Sequence, residues 1–365
     1  MATLVATALD MGRGRLRRTM SAPRPAHHAE VRPTPWAGAR VVTLSSARSF
    51  GRHWHEGWGL GLVEVGAQRS YSGRGEVEAV AGDVIATNPG ETHDGRPLDG
   101  HPRRWRMLLL EAVPGLPWSG ADEGLPDLQR APLLLPVQRR PALAAQLRTL
   151  HARLADRAAM TATSATSAMS ARAATTGAGA PARPGPHDPT SGLRWPTGDL
   201  TPHLPTPHLP PDLTHLACDE ALAAVLHGFA AAGPADARPE HAPATPASRA
   251  DPLLQRVRER LALCDGPPPG LAELAADAGL DRYRLLRRFQ AAWGLPPHAW
   301  ALQHRLALAH ARVLRGEAVA EVAAALGFTD QSHLHRHFVR SYGYTPGALR
   351  RCCAMPYKTA RRAAA

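Results

Sequence analysis

Leu280–Pro297 reads LDRYRLLRRFQAAWGLPP, and Thr329–Pro346 reads TDQSHLHRHFVRSYGYTP. When the second stretch is laid on the first, the same residue types recur at the same spacing: Asp281 and Asp330, Leu285 and Leu334, Arg287 and Arg336, Phe289 and Phe338, Gly294 and Gly343, Pro297 and Pro346. Each copy begins with an aspartate that can cap a helix N-terminus. Each ends with a glycine suited to a left-handed C-cap, followed by a proline. The sequence therefore predicts the same capped helix twice.

The residues before each copy predict a second, shorter helix and a turn. Residues 274–279 read LAADAG and residues 322–327 read VAAALG, so a small alanine precedes a glycine by four positions in both. The alanine allows two helices to approach closely, and the glycine allows a sharp turn. A helix, a glycine turn and a capped helix form a helix-turn-helix unit. Two such units are far more specific than one match.

The segment between the two units indicates how they are held apart. His298–Leu314 has apolar residues at helical intervals and lacks both proline and glycine, so it predicts one continuous linking helix. A helix of that length would hold two recognition helices about 34 Å apart, which is one turn of DNA. We therefore expect both to enter successive major grooves on one face of a duplex.

Residues 251–351 resemble the DNA-binding domain of AraC/XylS-type transcriptional regulators. The resemblance is carried by GLAELAADAGLD, the linking helix, the run ALGFTDQSHLHRHF and the closing YGYTPGALRR. It implies a sequence-specific DNA-binding regulator that is not an enzyme. The implied fold is α+β with two domains: an N-terminal cupin-like β-barrel with flanking helices, and a C-terminal all-α domain in which a linking helix joins two helix-turn-helix units.

The predicted recognition helices bury one face and present the other to DNA. Leu285, Phe289, Leu334 and Phe338 are predicted core residues. The predicted DNA-binding residues are Arg282, Tyr283, Leu286, Arg287, Gln331, Ser332, His335 and Arg336. Arginine can pair with guanine and glutamine with adenine, each with about 1–3 kcal/mol of discrimination. The alternative for each arginine is a phosphate contact.

Residues 39–112 have the short apolar segments and Gly-rich turns of a small β-structure. Predicted strands include Leu60–Val65, Glu76–Val80, Val84–Thr87 and Trp105–Leu110. With His53-x-His55 and a later His93, this region resembles the cupin-like ligand-binding domain of many AraC-type regulators. The candidate effector-binding residues are His53, His55, Trp58, His93 and Arg106.

The same histidines allow a metal interpretation, because two histidines two apart on a strand face the same side. With an acid such as Glu56 or Glu64 they could form the site of a metal-dependent cupin. The spacing of the glutamate does not clearly match that site, so no metal, no cofactor and no catalytic residue is predicted.

Composition and charge divide the chain further. It has 43 lysine and arginine residues against 31 acidic ones, a formal net charge of +12, which favours a polyanionic partner. Four cysteines without disulfide or metal-ligand spacing favour a cytoplasmic location. The predicted organisation is a disordered N-terminus (1–38), an effector-binding and dimerisation domain (39–157), a disordered Ala/Thr/Pro-rich insertion (158–212), a helix associated with the N-terminal domain (213–232), a linker (233–250), the DNA-binding domain (251–351) and a basic tail (352–365).

The expected partners are double-stranded DNA, an unknown small-molecule effector, RNA polymerase if the chain is an activator, and a second copy in a homodimer, with no membrane. Pro141–Arg157 and Leu213–Ala232 have helical apolar spacing and would serve either dimerisation or packing onto their own β-domain. Two alternative functions remain open: a metal-dependent cupin enzyme with a DNA-binding appendage, and a DNA-binding dimer without an effector.

Overall fold

The computed structural model describes residues 27–72, 75–120, 122, 124–130, 133, 135–176, 211–231, 251–263 and 268–353. It confirms the α+β fold class, with a sheet-rich N-terminal region followed by a helical C-terminal region. The strands are β1 (His27–Pro33), β2 (Ala39–Ser46), β3 (Phe50–His53), β4 (Gly57–Val65), β5 (Ala67–Ser72), β6 (Gly75–Val80), β7 (Val84–Thr87), β8 (His93–Pro97), β9 (Arg103–Glu111) and β10 (Val137–Gln138). The four strands predicted from the sequence are therefore confirmed.

The strands form two sheets rather than one closed barrel. A six-stranded sheet has the order β1-β2-β9-β4-β7-β10, and a four-stranded sheet has the order β3-β8-β5-β6. The pairings recorded between these strands are all antiparallel. The predicted barrel is wrong in this respect, because a sheet closes into a barrel only when its edge strands pair with each other. Alternating strands predict which face is buried, but they do not predict whether the edges meet.

Strand β9 runs through the middle of the six-stranded sheet and is buried on both faces. Trp105, Met107 and Leu109 belong to the core on one side, whereas Leu108 and Leu110 belong to the core on the other. Successive side chains of a strand point to opposite faces, so this strand separates two apolar layers. The face that carries Trp105 looks toward the four-stranded sheet.

Two helices cover the opposite face of the six-stranded sheet. They are α1 (Pro141–Thr176) and α2 (Pro211–Ala230). Apolar side chains of α1 and α2 are buried in one core cluster together with residues of the sheet; those of the helices include Leu143, Leu147, Leu150, Leu154, Leu222, Val225 and Phe229. Packing onto their own β-domain is thus observed for both helices.

Two predicted boundaries are corrected. Residues 27–33 form β1, which pairs with β2 along its whole length, so the prediction of disorder through residue 38 is wrong for residues 27–38. Helix α1 continues to Thr176, so residues 158–176 are helical although they were predicted to be disordered. Alanine is the best helix former, and this Ala-rich run extends a helix that has already been nucleated. The predictions for residues 1–26, 177–210, 232–250 and 354–365 lie outside the described residues.

The C-terminal region is the predicted pair of helix-turn-helix units. Its helices are α3 (Pro252–Ala262), α4 (Leu271–Asp277), α5 (Arg282–Trp293), α6 (Pro297–Leu314), α7 (Val319–Ala325), α8 (Gln331–Tyr342) and α9 (Pro346–Cys353). The linking helix α6 begins one residue before its predicted start and ends where predicted. Within the described part of the chain, no helix combines the length and apolar character needed to span a membrane.

The recognition helices α5 and α8 have the predicted caps. The side chain of Asp281 accepts a hydrogen bond from the backbone of Arg284, and that of Asp330 accepts one from His333. Both helices end at a glycine in the left-handed region, Gly294 with φ 75° and Gly343 with φ 79°. The repeated sequence therefore folds into the same local structure twice.

His151 is a buried polar residue in the core between α1 and the sheet. It is 3% exposed, and neither ring nitrogen has a hydrogen-bond partner among the described residues. Burial, with a smaller contribution from the charge of Arg106, lowers the pKa of His151 to about 3. The imidazole is therefore neutral in the folded protein at neutral pH.

We predict that His151→Leu stabilises the protein and weakens its sensitivity to acid. At pH 7 the substitution removes an unpaired buried polar group, which corresponds to about 1–3 kcal/mol. The folded pKa lies below the unfolded value of 6.5, so the unfolded state takes up the proton first as the pH falls. Between pH 7 and pH 5 the wild type should lose about 2 kcal/mol that the variant keeps. Urea unfolding at both pH values measures this, with the exposed His298→Leu as the control; equal pH dependence in all three proteins would contradict the assignment.

Candidate functional site

A cavity lies between the two sheets and is closed at one end by the C-terminal domain. Its volume is about 870 Å³ including the open mouth. The wall contains apolar side chains of the six-stranded sheet, polar side chains of the four-stranded sheet, and Ser341 and Tyr342 from the last turn of α8. A concave, largely apolar wall with a few polar groups is typical of a small-molecule site.

Three of the predicted histidines meet in the wall of this cavity. A ring nitrogen of each of His53, His55 and His93 lies within 4.8 Å of the others. Strands β3 and β8 bring them together, because His53 and His93 are directly paired across these strands. Nδ1 of His53 donates to the carbonyl of Gly51 (2.7 Å), and Nδ1 of His93 donates to that of Glu91 (2.8 Å). The Nε2 atoms of His53 and His93 are thereby left as acceptors.

Burial keeps these three imidazoles neutral. The pKa of His53 falls to about 3, mainly through burial and secondarily through the neighbouring His93. Burial also lowers the pKa of His55 well below its ordinary value, with the two other histidines adding to the effect. The pKa of His93 is lowered by the same cause. Neutral imidazoles with free lone pairs can accept hydrogen bonds or bind a metal ion.

The histidines fit a transition-metal ion only as a three-nitrogen set. Among the described residues, neither glutamate considered from the sequence belongs to the cluster. Glu56 accepts a hydrogen bond from the indole of Trp54, and Glu64 pairs with Arg104 and Arg106. Nδ1–H bonds to backbone carbonyls are the outer contacts that orient metal-binding histidines, so the donor set is suitable for a metal without an acidic ligand.

The other two candidate effector residues lie away from the cavity. Trp58 belongs to the core beneath α1 and α2, and Arg106 pairs with Glu64 at 3.1 Å on the same face of the sheet. Both are absent from the cavity wall formed by the described residues. In contrast, Arg103 lies in that wall, and it was missed by sequence reasoning. The alternation of side chains along the strand could have identified it, because Arg103 shares a face with Trp105 and Met107, whereas Arg106 is on the opposite face.

The second recognition helix closes the cavity with an aromatic ring. The ring of Tyr342 lies 5.5 Å from the ring of His55 and 5.1 Å from that of His310. Tyr342 is 4% exposed, and burial raises the pKa of its phenol well above the ordinary value. A molecule bound in the cavity would therefore contact the DNA-binding domain directly.

The N-terminal domain also caps the C-termini of both recognition helices. At α5, Arg52 donates to the carbonyl of Gly294 (3.1 Å) and Thr92 to that of Trp293 (3.1 Å). At α8, the ring of His27 donates to the carbonyl of Gly343 (2.7 Å). The last carbonyls of a helix lack partners within it, so these donors satisfy groups that would otherwise need water.

Further contacts join the linking helix to the β-domain. Gln303 of α6 donates to the carbonyl of Trp54 (3.1 Å). His310 contacts both the guanidinium of Arg40 (3.3 Å) and the hydroxyl of Tyr344 (3.0 Å). Burial lowers the pKa of His310 well below its ordinary value, so it is neutral in this contact. The apolar core is continuous across the two domains, since residues of β2, β9, α6 and α8 belong to one cluster.

This docking leaves the predicted DNA-contacting side chains accessible. All are exposed except Leu286, which is half-buried: Arg282, Tyr283, Arg287, Gln331, Ser332, His335 and Arg336. Tyr283 is 80% exposed, an unusual state for a large aromatic side chain. Arg287 and Arg336 form no ion pair within the described part of the chain, whereas the neighbouring Arg288 pairs with Asp251.

Comparisons with known proteins assign both domains. A helix-turn-helix domain model matches residues 274–351, and an AraC-like ligand-binding domain model matches residues 42–173. The HTH-type transcriptional regulator MtrA of Neisseria gonorrhoeae is 34% identical over 80 residues, which are 22% of this chain and 27% of that protein. The virulence regulon transcriptional activator VirF of Yersinia enterocolitica is 28% identical over 81 residues, covering 22% and 30% of the two chains.

A solved structure of oxalate decarboxylase from Bacillus subtilis matches 24% of this chain and 26% of its own, at 13% identity and a TM-score of 0.22. The chain spans less than a third of the length of the two curated relatives. Its two matched domains, a ligand-binding N-terminal domain and a C-terminal helix-turn-helix domain, are those of AraC/XylS-type regulators.

We predict that Gly294→Val loosens the docking of the first recognition helix. A Cβ at residue 294 would lie 3.0 Å from the Cβ of Thr92, so Thr92 and the end of α5 would have to move apart. Gly316→Val is the matched control, because Gly316 also has positive φ (88°) but nothing lies within 4 Å of its added Cβ. Both variants carry backbone strain, and only Gly294→Val should also speed hydrogen exchange at Arg52 and Thr92. Equal exchange in the two variants would show that this contact does not hold the domains together.

Proposed function

We propose that this chain is a sequence-specific, DNA-binding transcriptional regulator whose DNA binding is controlled by a small molecule in the N-terminal cavity. One observation carries the proposal. The C-terminal ends of two helices with the same caps are docked beside a cavity, while their N-terminal halves present exposed polar side chains. Tyr342 belongs to both the cavity wall and the second of these helices.

In this function the exposed residues of α5 and α8 contact double-stranded DNA. The residues proposed for base contact are the half-buried Leu286 and the exposed Arg282, Tyr283, Arg287, Gln331, Ser332, His335 and Arg336. Recognition helices enter the major groove with their N-terminal residues toward the bases, which agrees with docking through the opposite ends. Arg287 and Arg336 occupy equivalent positions in the two helices and can each pair with a guanine.

Control of DNA binding by a ligand follows from the cavity wall, because both domains contribute residues to it. A ligand can shift an equilibrium only through contacts that differ between the two states. A molecule that contacts Tyr342 when the domains are docked loses that contact when they separate, so its binding changes how the recognition helices are held. His53, His55 and His93 are the proposed effector contacts from the β-domain.

We further propose a cytoplasmic regulator that acts as a homodimer and, if it activates transcription, contacts RNA polymerase.

We predict that Arg287→Ala and Arg336→Ala each weaken binding to the selected site about 5- to 150-fold, the equivalent of 1–3 kcal/mol per guanine contact. The full-length protein is first used to select its sites from a random DNA pool, and affinities are then measured at one fixed salt concentration. Arg69→Ala is the control, because Arg69 lies on β5 and pairs with Glu78. An equal loss on selected and random DNA would identify phosphate contacts, and failure to select any sequence would reject the proposed function.

The three histidines support a second candidate, a metal-dependent cupin enzyme with a DNA-binding appendage. A bound metal ion would act as a Lewis acid on a ligand in the cavity. This candidate predicts that the full-length protein retains one equivalent of Zn²⁺ or Mn²⁺ after dialysis and that His93→Ala loses it. The control is His101→Ala at an exposed histidine, and this variant should retain the metal. If the wild-type protein holds no metal after loading and dialysis, the candidate is rejected.

A further inference from the structure

Arg103 is a buried cation in the cavity wall, and none of the described residues gives it an acidic partner. The residue is 1% exposed. Its Nε donates to the side chain of Gln68 (3.1 Å), and its Nη1 donates to the carbonyls of Ser46 (3.3 Å) and Arg48 (2.9 Å). These acceptors are neutral, and within the described ranges Arg103 forms no ion pair. A buried charge that lacks an opposite charge is unfavourable unless a ligand supplies one.

The remaining nitrogen of this guanidinium is Nη2, which lies beside Gly95 of β8. Nη2 has no hydrogen-bond partner among the described residues, and it lies 3.4 Å from the position that a Cβ of Gly95 would occupy. Arg103 and Gly95 both belong to the cavity wall, and a side chain at residue 95 would contact Nη2. Two aromatic rings hold the guanidinium in place: its carbon lies 4.7 Å from the ring of Trp105 and 5.8 Å from that of Phe50.

Other charged groups in the wall do not neutralise Arg103. The carboxylate of Asp94 is engaged by Arg52 at 3.9 Å and by the backbone amide of Tyr71 at 2.6 Å. The three histidines are neutral, as shown above. Burial lowers the pKa of Arg103 to about 10, which still leaves it charged at neutral pH. Among the described residues, nothing therefore balances the positive charge of Arg103 in the cavity wall.

We propose that the effector is an apolar monocarboxylate whose carboxylate pairs with Arg103 and whose apolar body lies against Trp105, Met107 and Leu109. This inference rests on the proposed function and names the chemical class of its effector. A single cation with one nitrogen left unengaged matches one negative charge, whereas a phosphate dianion would need further positive groups. The apolar walls require a ligand with a hydrophobic body.

The test compares charged and neutral forms of the same molecules. Benzoate, phenylacetate, octanoate and decanoate are each added to the full-length protein beside the corresponding primary amide and beside inorganic phosphate. A ligand that binds only the native state raises Tm by mass action, by about 5 °C at one hundred times its Kd. We expect at least one carboxylate to raise Tm and its amide to leave Tm unchanged.

Two variants on one strand locate the effect. Arg103→Gln removes the cation and should weaken carboxylate binding at least about 10-fold, as expected for the loss of a charge-assisted pair. Arg106→Gln is the matched control, because Arg106 lies on the same strand with its side chain on the opposite face. It should bind the carboxylate like the wild type. If Arg103→Gln does not fold, the carboxylate and amide comparison on the wild type decides the matter by itself.

Equal stabilisation by acid and amide, stabilisation by phosphate alone, no stabilisation by any carboxylate, or unchanged binding to Arg103→Gln would each overturn the proposal. These outcomes are independent of DNA selection. A protein that selects a DNA site but ignores carboxylates would retain the proposed function and lose only this effector class. A protein that binds carboxylates but selects no DNA would do the reverse.

Discussion

The arrangement of this molecule depends on how the ends of its two recognition helices are satisfied. A helix leaves its last carbonyls without internal partners, and both α5 and α8 receive donors for them from the N-terminal domain. The left-handed glycines allow this approach, because residue 294 lies against Thr92 and residue 343 against Leu44. The left-handed glycine that ends each helix is thus also the residue that contacts the β-domain.

Because the helix ends serve both purposes, the predicted DNA-contacting side chains remain exposed. Since the C-terminal ends are occupied by the β-domain, the N-terminal halves with Arg287 and Arg336 are left to solvent. The continuous apolar core that includes β2, β9, α6 and α8 adds hydrophobic stabilisation to the docking hydrogen bonds. Docking therefore positions the predicted DNA-contacting surface without covering it.

Local features of this fold could be predicted from the sequence, and long-range ones could not. The capped helices follow from Asp281, Asp330 and the two glycines, because caps act within a few residues. The donor to Gly343 is His27, far away in the chain and within a segment that was predicted to be disordered. The histidine cluster was predicted from its spacing, whereas Arg103 required the correct face of β9. If the two faces of β9 are confused, Arg106 is assigned to the cavity in place of Arg103, although Arg106 pairs with Glu64 on the other face.

The two docking points are not equivalent with respect to the cavity, although the helices are built alike. At α5 the contacts are Arg52 and Thr92, and no residue of α5 lies in the cavity wall formed by the described residues. At α8 the wall includes Ser341 and Tyr342. An effector in the cavity therefore contacts only the second recognition helix directly. Its free energy of binding would act first on the docking of α8, while the contacts to α5 could persist. In the proposed function, the repeat would supply two similar DNA-contacting helices, and the cavity would make one of them sensitive to a ligand.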